Sequence, residues 1–194
     1  MKLSEMPERV VFDLEWNYPH TRYREEQNGT RLSGEIIQIG AVKIDAEAGI
    51  TDRYNAIIRP QYYRKMRKDI TELTDITNED LAGGRPFPEV VREFLDWCGE
   101  EWVFFSWSPS DIYMIEENML FYGMEVDGLP DCYDMQVMFD DQITMEGRDY
   151  ALSYAMWKLG IKPEQSHNAL NDAINTAEVM KHLDFSEDLA EYIV

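Results

Sequence analysis

The stretch that decides the fold is "RVVFDLEWNY", residues 9–18. Its valines and aromatic residues predict a buried β-strand, yet it carries two carboxylates, Asp13 and Glu15. Side chains at positions i and i+2 of a strand point to the same face, so the two acids lie side by side. Such a pair repels itself, and burial strengthens the repulsion. Either the acids share a proton, or a cation lies between them, or the strand ends in solvent where both are hydrated.

The composition predicts a single globular domain over residues 1–194. Hydrophobic residues make up 44% of the chain and aromatic residues 12%, which excludes a disordered protein. Cys98 and Cys132 lie far apart in the sequence, which predicts reduced thiols in a cytoplasmic protein. The first nine residues hold no apolar run of the kind a signal peptide needs, and no apolar run anywhere is long enough to span a membrane.

The chain is strongly acidic. It has 18 Lys and Arg residues against 38 Asp and Glu residues, a formal net charge of −20 at pH 7. A protein with this balance repels nucleic acid on average. A nucleic-acid partner therefore requires local positive charge or bound cations.

The hydrophobic pattern predicts an α/β fold. Adjacent strands come first, and strands then alternate with helices, which predicts a mixed sheet of about five strands, the first ones antiparallel, flanked by helices. The predicted strands are 9–18, 35–45, 53–60, 102–107 and 132–139. The predicted helices are a short one with an Asn78 cap, and then 86–100, 110–123, 150–160 and 167–183.

Another acid, Asp111, opens the helix that follows the strand "WVFFS", residues 102–106. An acid near a helix N-terminus is favourable, so capping alone explains its presence. Ser110 is an equally good cap, however, and it leaves Asp111 free to turn inward.

His167 and Asp172 are separated by the four residues "NALN". Five steps along a helix rotate about 140° beyond a full turn, so the two side chains do not share a helix face. We therefore expect His167 in the loop before the helix, with Ser166 or Asn168 near the cap, and Asp172 in the first turns. The stripe that packs this helix on the sheet is Leu170, Ala173, Ile174, Ala177 and Met180.

The ordered set Asp13-x-Glu15, Asp111 and His167-x4-Asp172 resembles the DEDDh 3′-5′ exonucleases of the RNase T and DnaQ-like superfamily. The resemblance covers about residues 8–183 and leaves a short C-terminal extension. It implies a ribonuclease H-like fold. Many proofreading members carry His-Asn ahead of the acid that Asp111 matches, whereas this chain has "FSWSPSD" there. The resemblance is therefore closer to the Eri-type and KapD-like exonucleases, which often act on RNA.

The resemblance also implies a mechanism. Asp13, Glu15, Asp111 and Asp172 would hold two divalent cations, Mg²⁺ or Mn²⁺, with Asp13 shared between them. His167 would act as the general base, since an imidazole has an ordinary pKa of about 6.5. The expected reaction releases nucleoside 5′-monophosphates from a single-stranded 3′ end. RNA is the expected substrate, and DNA is the alternative. Two alternatives are enzymes, a deoxyribonuclease and an oligoribonuclease for very short RNA. A third is a binding module without turnover, and the complete set of four acids and His167 argues against that one.

Local positive charge lies in "YYRKMRK", residues 62–68. Basic and aromatic side chains together favour contact with phosphates and bases, although a solvated loop without a ligand explains the segment equally well. The predicted nucleic-acid contacts are Trp16, Tyr62, Tyr63, Arg64, Lys65 and Trp107.

Overall fold

A mixed five-stranded sheet lies at the centre of the computed structural model, which describes residues 3–164 and 167–194. The strands are β1 (Glu8–Asn17), β2 (Glu26–Gln27), β3 (Thr30–Arg31), β4 (Glu35–Ile44), β5 (Ile50–Ile57), β6 (Trp102–Ser106) and β7 (Cys132–Asp134). The order across the sheet is β5-β4-β1-β6-β7, and β2 and β3 form a separate hairpin. β1, β4 and β5 pair antiparallel, whereas β1, β6 and β7 pair parallel. This confirms the predicted mixed sheet.

Helices cover both faces of the sheet. They are α1 (Lys68–Thr74), α2 (Asn78–Ala82), α3 (Phe87–Cys98), α4 (Ser110–Phe121), α5 (Met135–Phe139), α6 (Leu152–Leu159) and α7 (Ala169–Met180). Among the residues that the structure describes, no helix has the length and apolar character needed to cross a bilayer.

The prediction of a strand over 132–139 was wrong in its second half. β7 ends at Asp134, whose carboxylate accepts hydrogen bonds from the backbone N–H groups of Gln136 and Val137 and so begins α5. A short apolar run is compatible with a buried strand or a buried helix, and here the cap decides for the helix.

Two smaller predictions were also wrong. The short helix α2 is capped by Thr77, which forms a reciprocal capping box with Asp80, and Asn78 instead accepts a hydrogen bond from the backbone N–H of Met66. The third strand begins at Ile50, three residues before the predicted start, and ends at Ile57. The alternation of residues along this edge strand is weak, because three consecutive residues after its start are exposed.

The sheet separates two apolar cores, and β1 contributes to both. Phe12 and Leu14 pack with α3 and α4 on one face, while Val11 packs with α5, α6 and α7 on the other. Burying a side chain of this size contributes on the order of 1.5–3 kcal/mol. Asp13 and Glu15 lie two and four residues after Val11, so they are on the same face of the strand and point towards α7.

The C-terminal segment covers the outer edge of β7. The backbone N–H of Val194 donates to the carbonyl of Cys132 at 3.0 Å, and Ile193 pairs with Tyr133 as an isolated bridge. Leu189 and Tyr192 join the core on this side. The segment therefore protects an edge that would otherwise expose unpaired backbone groups.

Candidate active site

Three carboxylates from two elements meet at the C-terminal end of β1. Asp13, Glu15 and Asp172 each place one oxygen within 4.8 Å of the others, and all three are partly buried. Asp13 and Glu15 come from β1, whose register with β4 shifts immediately after Glu15. Asp172 comes from the first turns of α7, as the sequence predicted.

Gly40 lets the start of α7 approach the sheet. It lies opposite Asp13 in the β1–β4 pairing, and a Cβ built on it would be 2.0 Å from the backbone nitrogen of Leu170. The neighbouring side chain of Gln38 accepts a hydrogen bond from the backbone N–H of Ala169 at 3.2 Å. Sequence analysis missed both residues, although a glycine inside a β-branched strand indicates a close backbone approach.

The loop before α7 places His167 beside Asp172. The backbone N–H of His167 donates to Oδ2 of Asp172 at 2.7 Å, and the amide of Asn175 donates to Oδ1 at 3.3 Å. His167 is exposed and has a φ of 61°, a left-handed conformation that is uncommon for residues other than glycine. Asn168 caps the helix by accepting from the backbone N–H of Asn171, while Ser166, the alternative cap, lies outside the described residues.

Asp111 turns inward from the start of α4. It is buried, and its Oδ1 accepts a hydrogen bond from the backbone N–H of Leu14 at 3.1 Å. The predicted cap at Ser110 was wrong, because the helix begins after Pro109 without a side-chain cap. Asp111 is not one of the three acids within 4.8 Å of each other, but it lies close enough to raise the pKa of Asp13.

One pocket of about 320 Å³ brings the predicted catalytic residues together. Its walls include Asp13, Glu15, Asp111, His167 and Asp172, together with Trp16 and Trp107. The start of α6 forms a further wall that sequence analysis missed, made of Ala151, Leu152 and Ser153. A helical pattern alone does not reveal which end of a helix borders a site.

The four acids of this pocket have pKa values above their ordinary range. Burial raises the pKa of Asp13 well above its usual range, and the charges of Asp111, Glu15 and Asp172 raise it further. Burial, with the charges of Asp172 and Asp111, raises the pKa of Glu15 to about 8. The described lining contains no Lys or Arg that could balance these charges. Oxygen donors this crowded fit hard divalent cations such as Mg²⁺ or Mn²⁺.

The pKa of Glu15 predicts a pH-dependent stability in the absence of metal. Its pKa rises from the ordinary 4.5 to about 8 on folding, so the folded protein binds the proton more tightly than the unfolded chain does. This contribution to stability is complete below the unfolded value and is lost as pH rises through the folded value. In EDTA, we therefore expect Glu15→Gln to raise the melting temperature relative to wild type more at about pH 9 than at about pH 5. An equal difference at both pH values would contradict this.

The predicted nucleic-acid residues divide between two places. Trp16 lines the acidic pocket, as does Trp107, whose indole N–H donates to the carbonyl of Tyr150 at 2.9 Å. Tyr62, Arg64 and Lys65 instead line a separate groove of about 350 Å³. Tyr63 also lines that groove but is otherwise buried, and its hydroxyl donates to the carbonyl of Leu32 at 2.7 Å.

Two buried polar residues hold the basic segment 62–68, and sequence analysis missed both. The carboxylate of Glu35 accepts backbone hydrogen bonds from Gln61, Tyr62 and Tyr63, and one from the hydroxyl of Tyr122. The amide of Asn17 donates to the carbonyls of Tyr63 and Lys65. Because Asn17 directly follows Trp16, the basic segment is fixed relative to the end of β1.

Comparison with known sequences gives consistent matches. The model of the RNase_T family, described as an exonuclease, matches residues 10–180. DNA polymerase III PolC-type from Thermotoga petrophila is 33% identical over 145 residues, which cover 75% of this chain and 10% of that protein. DNA polymerase III subunit epsilon from Aquifex aeolicus is 26% identical over 162 residues, covering 81% of this chain and 78% of that protein. The chain thus spans about a tenth of the PolC-type relatives.

Solved structures share the fold. The nuclease domain of 3′hExo, described as a DEDDh family member bound to rAMP, superposes with a TM-score of 0.79 at 16% identity, covering 95% of this chain and 98% of that one. Cell-death related nuclease 4 superposes with a TM-score of 0.76 at 16% identity, covering 94% of this chain and 65% of that one. These likenesses confirm the predicted ribonuclease H-like fold.

Proposed function

This chain belongs to the RNase_T exonuclease family, and on that premise we propose that it removes nucleotides from the 3′ end of single-stranded nucleic acid and releases nucleoside 5′-monophosphates. The observation that carries the proposal is the convergence of four acids and a histidine in one pocket. These are Asp13, Glu15, Asp111, Asp172 and His167. The pocket volume of about 320 Å³ is at the lower end for ligand sites, which suits one terminal nucleotide better than a duplex.

We assign the four carboxylates to two divalent cations, Mg²⁺ or Mn²⁺. The charges of the other three acids all raise the pKa of Asp13, so Asp13 would be the ligand most suited to be shared, with Glu15 and Asp172 completing one site and Asp111 supporting the other. When bound, the cations supply charge stabilisation for the attacking and leaving oxygens of a displacement at phosphorus. The hydrogen bonds to Asp172 and Asp111 hold these carboxylates in place before any cation binds.

We assign the general base to His167. Its exposed ring borders the pocket, and its backbone hydrogen bond to Asp172 fixes the loop that carries it. The imidazole would accept the proton of the attacking water and pass it to solvent at the pocket mouth. The backbone bond leaves both ring nitrogens available for this transfer.

We expect His167→Gln to lower kcat by about a hundredfold or more, because a positioned general base contributes about 10²–10⁴ to the rate. KM should change little, since the variant keeps the backbone N–H that binds Asp172. His182→Gln, an exposed histidine beyond α7, is the matched control. A variant that keeps the wild-type kcat would exclude His167 as the base.

RNA is the first substrate we propose, because the segment "FSWSPSD" that ends at Asp111 resembles the Eri-type and KapD-like branch. That branch assignment stays a prediction. DNA is the second candidate, and it is favoured by the sequence relatives, which are DNA polymerase III proteins. Single-stranded RNA and DNA of the same sequence, and a blunt duplex, would be compared by kcat/KM. A single-strand preference supports the proposal, and the faster strand decides between the two substrates. Equal or faster cleavage of the blunt duplex would contradict it.

A further inference from the structure

Three aromatic residues lie in successive ring contact at and just before α6, and we call Tyr150, Tyr154 and Trp157 the aromatic ladder. The rings of Tyr150 and Tyr154 are 4.3 Å apart with an interplanar angle of 15°, and those of Tyr154 and Trp157 are 5.6 Å apart at 44°. Trp157 is 73% exposed. An indole is seldom left so open to water, and the tilted ring contact with Tyr154 orients this one.

The aromatic ladder lies next to the acidic pocket, since Tyr150 directly precedes the pocket-lining residues 151–153. Ala155 and Met156 bury one face of α6 in the core, so the opposite face looks outward. Ser153 lines the pocket on this outward side, and Trp157 is four residues further along the same face. At about 1.5 Å of rise per residue, Trp157 lies about 6 Å beyond Ser153. That distance is close to two steps of stacked bases at about 3.4 Å each.

The aromatic ladder is also fixed to the pocket wall. The indole N–H of Trp107, itself part of that wall, donates to the carbonyl of Tyr150. The ring of Trp107 lies 5.8 Å from that of Phe139, which in turn lies 6.4 Å from that of Tyr150. A continuous series of rings therefore runs from the pocket to the exposed indole.

We propose that the aromatic ladder is a stacking track for the nucleotides that precede the 3′-terminal nucleotide of a single-stranded substrate; the inference rests on the proposed function. Aromatic faces accept every base, so the track needs no sequence preference. A net charge of −20 gives a long strand little electrostatic attraction on average, so stacking would add affinity outside the pocket that charge does not supply. The exposed Lys158 lies next to Trp157 and suits the accompanying phosphates.

A protein partner fits this surface less well. Among the described residues of α6, Trp157 is the one exposed large apolar side chain, and the adjacent Ser153 and Lys158 are polar. A specific protein interface buries about 800 Å² on each partner around an apolar centre, which one indole does not supply. A base of a single-stranded substrate needs only one open ring face, which the exposed indole of Trp157 supplies.

The test compares two substrates with Trp157→Ala. We expect its KM for single-stranded oligonucleotides to rise about five- to 150-fold, the loss of one stacked base. Kinetics with the 4-nitrophenyl ester of a nucleoside 5′-monophosphate that has the same sugar as the oligonucleotide, and that occupies the pocket alone, should not change. Trp157→Phe should keep most of the oligonucleotide affinity. The control is Tyr113→Ala, an aromatic that is also largely exposed and lies about 200° around α4 from Asp111.

Each outcome decides the question. An unchanged oligonucleotide KM in Trp157→Ala, with the ester still hydrolysed, overturns the track, leaves the proposed function intact and points to a protein contact. An equal rise of KM for the ester would also overturn it, because the defect would then lie in the pocket. A wild-type protein that hydrolyses neither substrate contradicts the proposed function and the track together.

Discussion

Replacing Asp13 with asparagine is expected to lower the exonuclease rate by more than about a hundredfold. Loss of a residue that only hydrogen-bonds to a metal ligand already costs up to about a hundredfold, and loss of a ligand should cost more. Asp13 lies among Glu15, Asp111 and Asp172, and all three raise its pKa. Asparagine has nearly the same shape but no charge, so the variant removes the ligand that we propose is shared and keeps the packing. Because the charge repulsion also disappears, the metal-free variant should melt at a higher temperature than metal-free wild type at neutral pH or above.

Two readouts distinguish a lost ligand from a lost fold. Millimolar Mn²⁺ should raise the melting temperature of wild type, since a ligand that binds only the folded state stabilises it, and this rise should be strongly reduced in Asp13→Asn. Asp127→Asn, which changes an exposed acid outside the pocket, should keep both the activity and the Mn²⁺ effect. If Asp13→Asn retains the wild-type rate, the active site has been assigned to the wrong acids.

Gly40→Ala is expected to reduce stability and activity together. The added Cβ would lie 2.0 Å from the nitrogen of Leu170 and 2.1 Å from the carbonyl carbon of Ala169. Both neighbours are backbone, so the start of α7 has to move away from β4. Overpacking of this kind costs about 1–3 kcal/mol of unfolding free energy. Asp172 moves with the helix, and a displacement of about 1 Å at a reacting centre can cost about a hundredfold in rate.

Gly128→Ala is the matched control for this substitution. A Cβ on Gly128 meets no atom within 4 Å, and its backbone is not in the left-handed region, so the change should be close to neutral. Urea unfolding gives the free-energy difference, and kcat/KM gives the effect on activity. Equal stability of Gly40→Ala and Gly128→Ala would show that α7 does not depend on the close approach.

Much of the site could be predicted from sequence because it rests on strict periods. The strand period puts Asp13 and Glu15 on one face, and the helix period separates His167 from Asp172. The structure places all four where these periods require, on β1, in the loop before α7 and in its first turns. The mixed sheet follows in the same way from the order of strands and helices.

The remaining features depend on partners distant in sequence. Asn17 and Glu35 are buried polar residues whose hydrogen-bond partners lie in the segment 61–65, and no local pattern identifies such pairs. The apolar run 132–139 suits either a strand or a helix. The side chain of Asp134 decides where α5 begins, because it caps that helix. Gly40 did carry a signal, since a glycine weakens a strand unless another backbone must approach it.

The most direct test of the whole account is a degradation assay. Single-stranded RNA and DNA of one sequence, labelled at the 5′ end, would be incubated with the protein in Mg²⁺, in Mn²⁺ and in EDTA, beside Asp13→Asn. The account predicts products that shorten progressively from the 3′ end with either cation, and intact substrate in EDTA and with the variant. Substrates that stay intact in both cations with wild-type protein would contradict it, and would favour a binding module on the same fold.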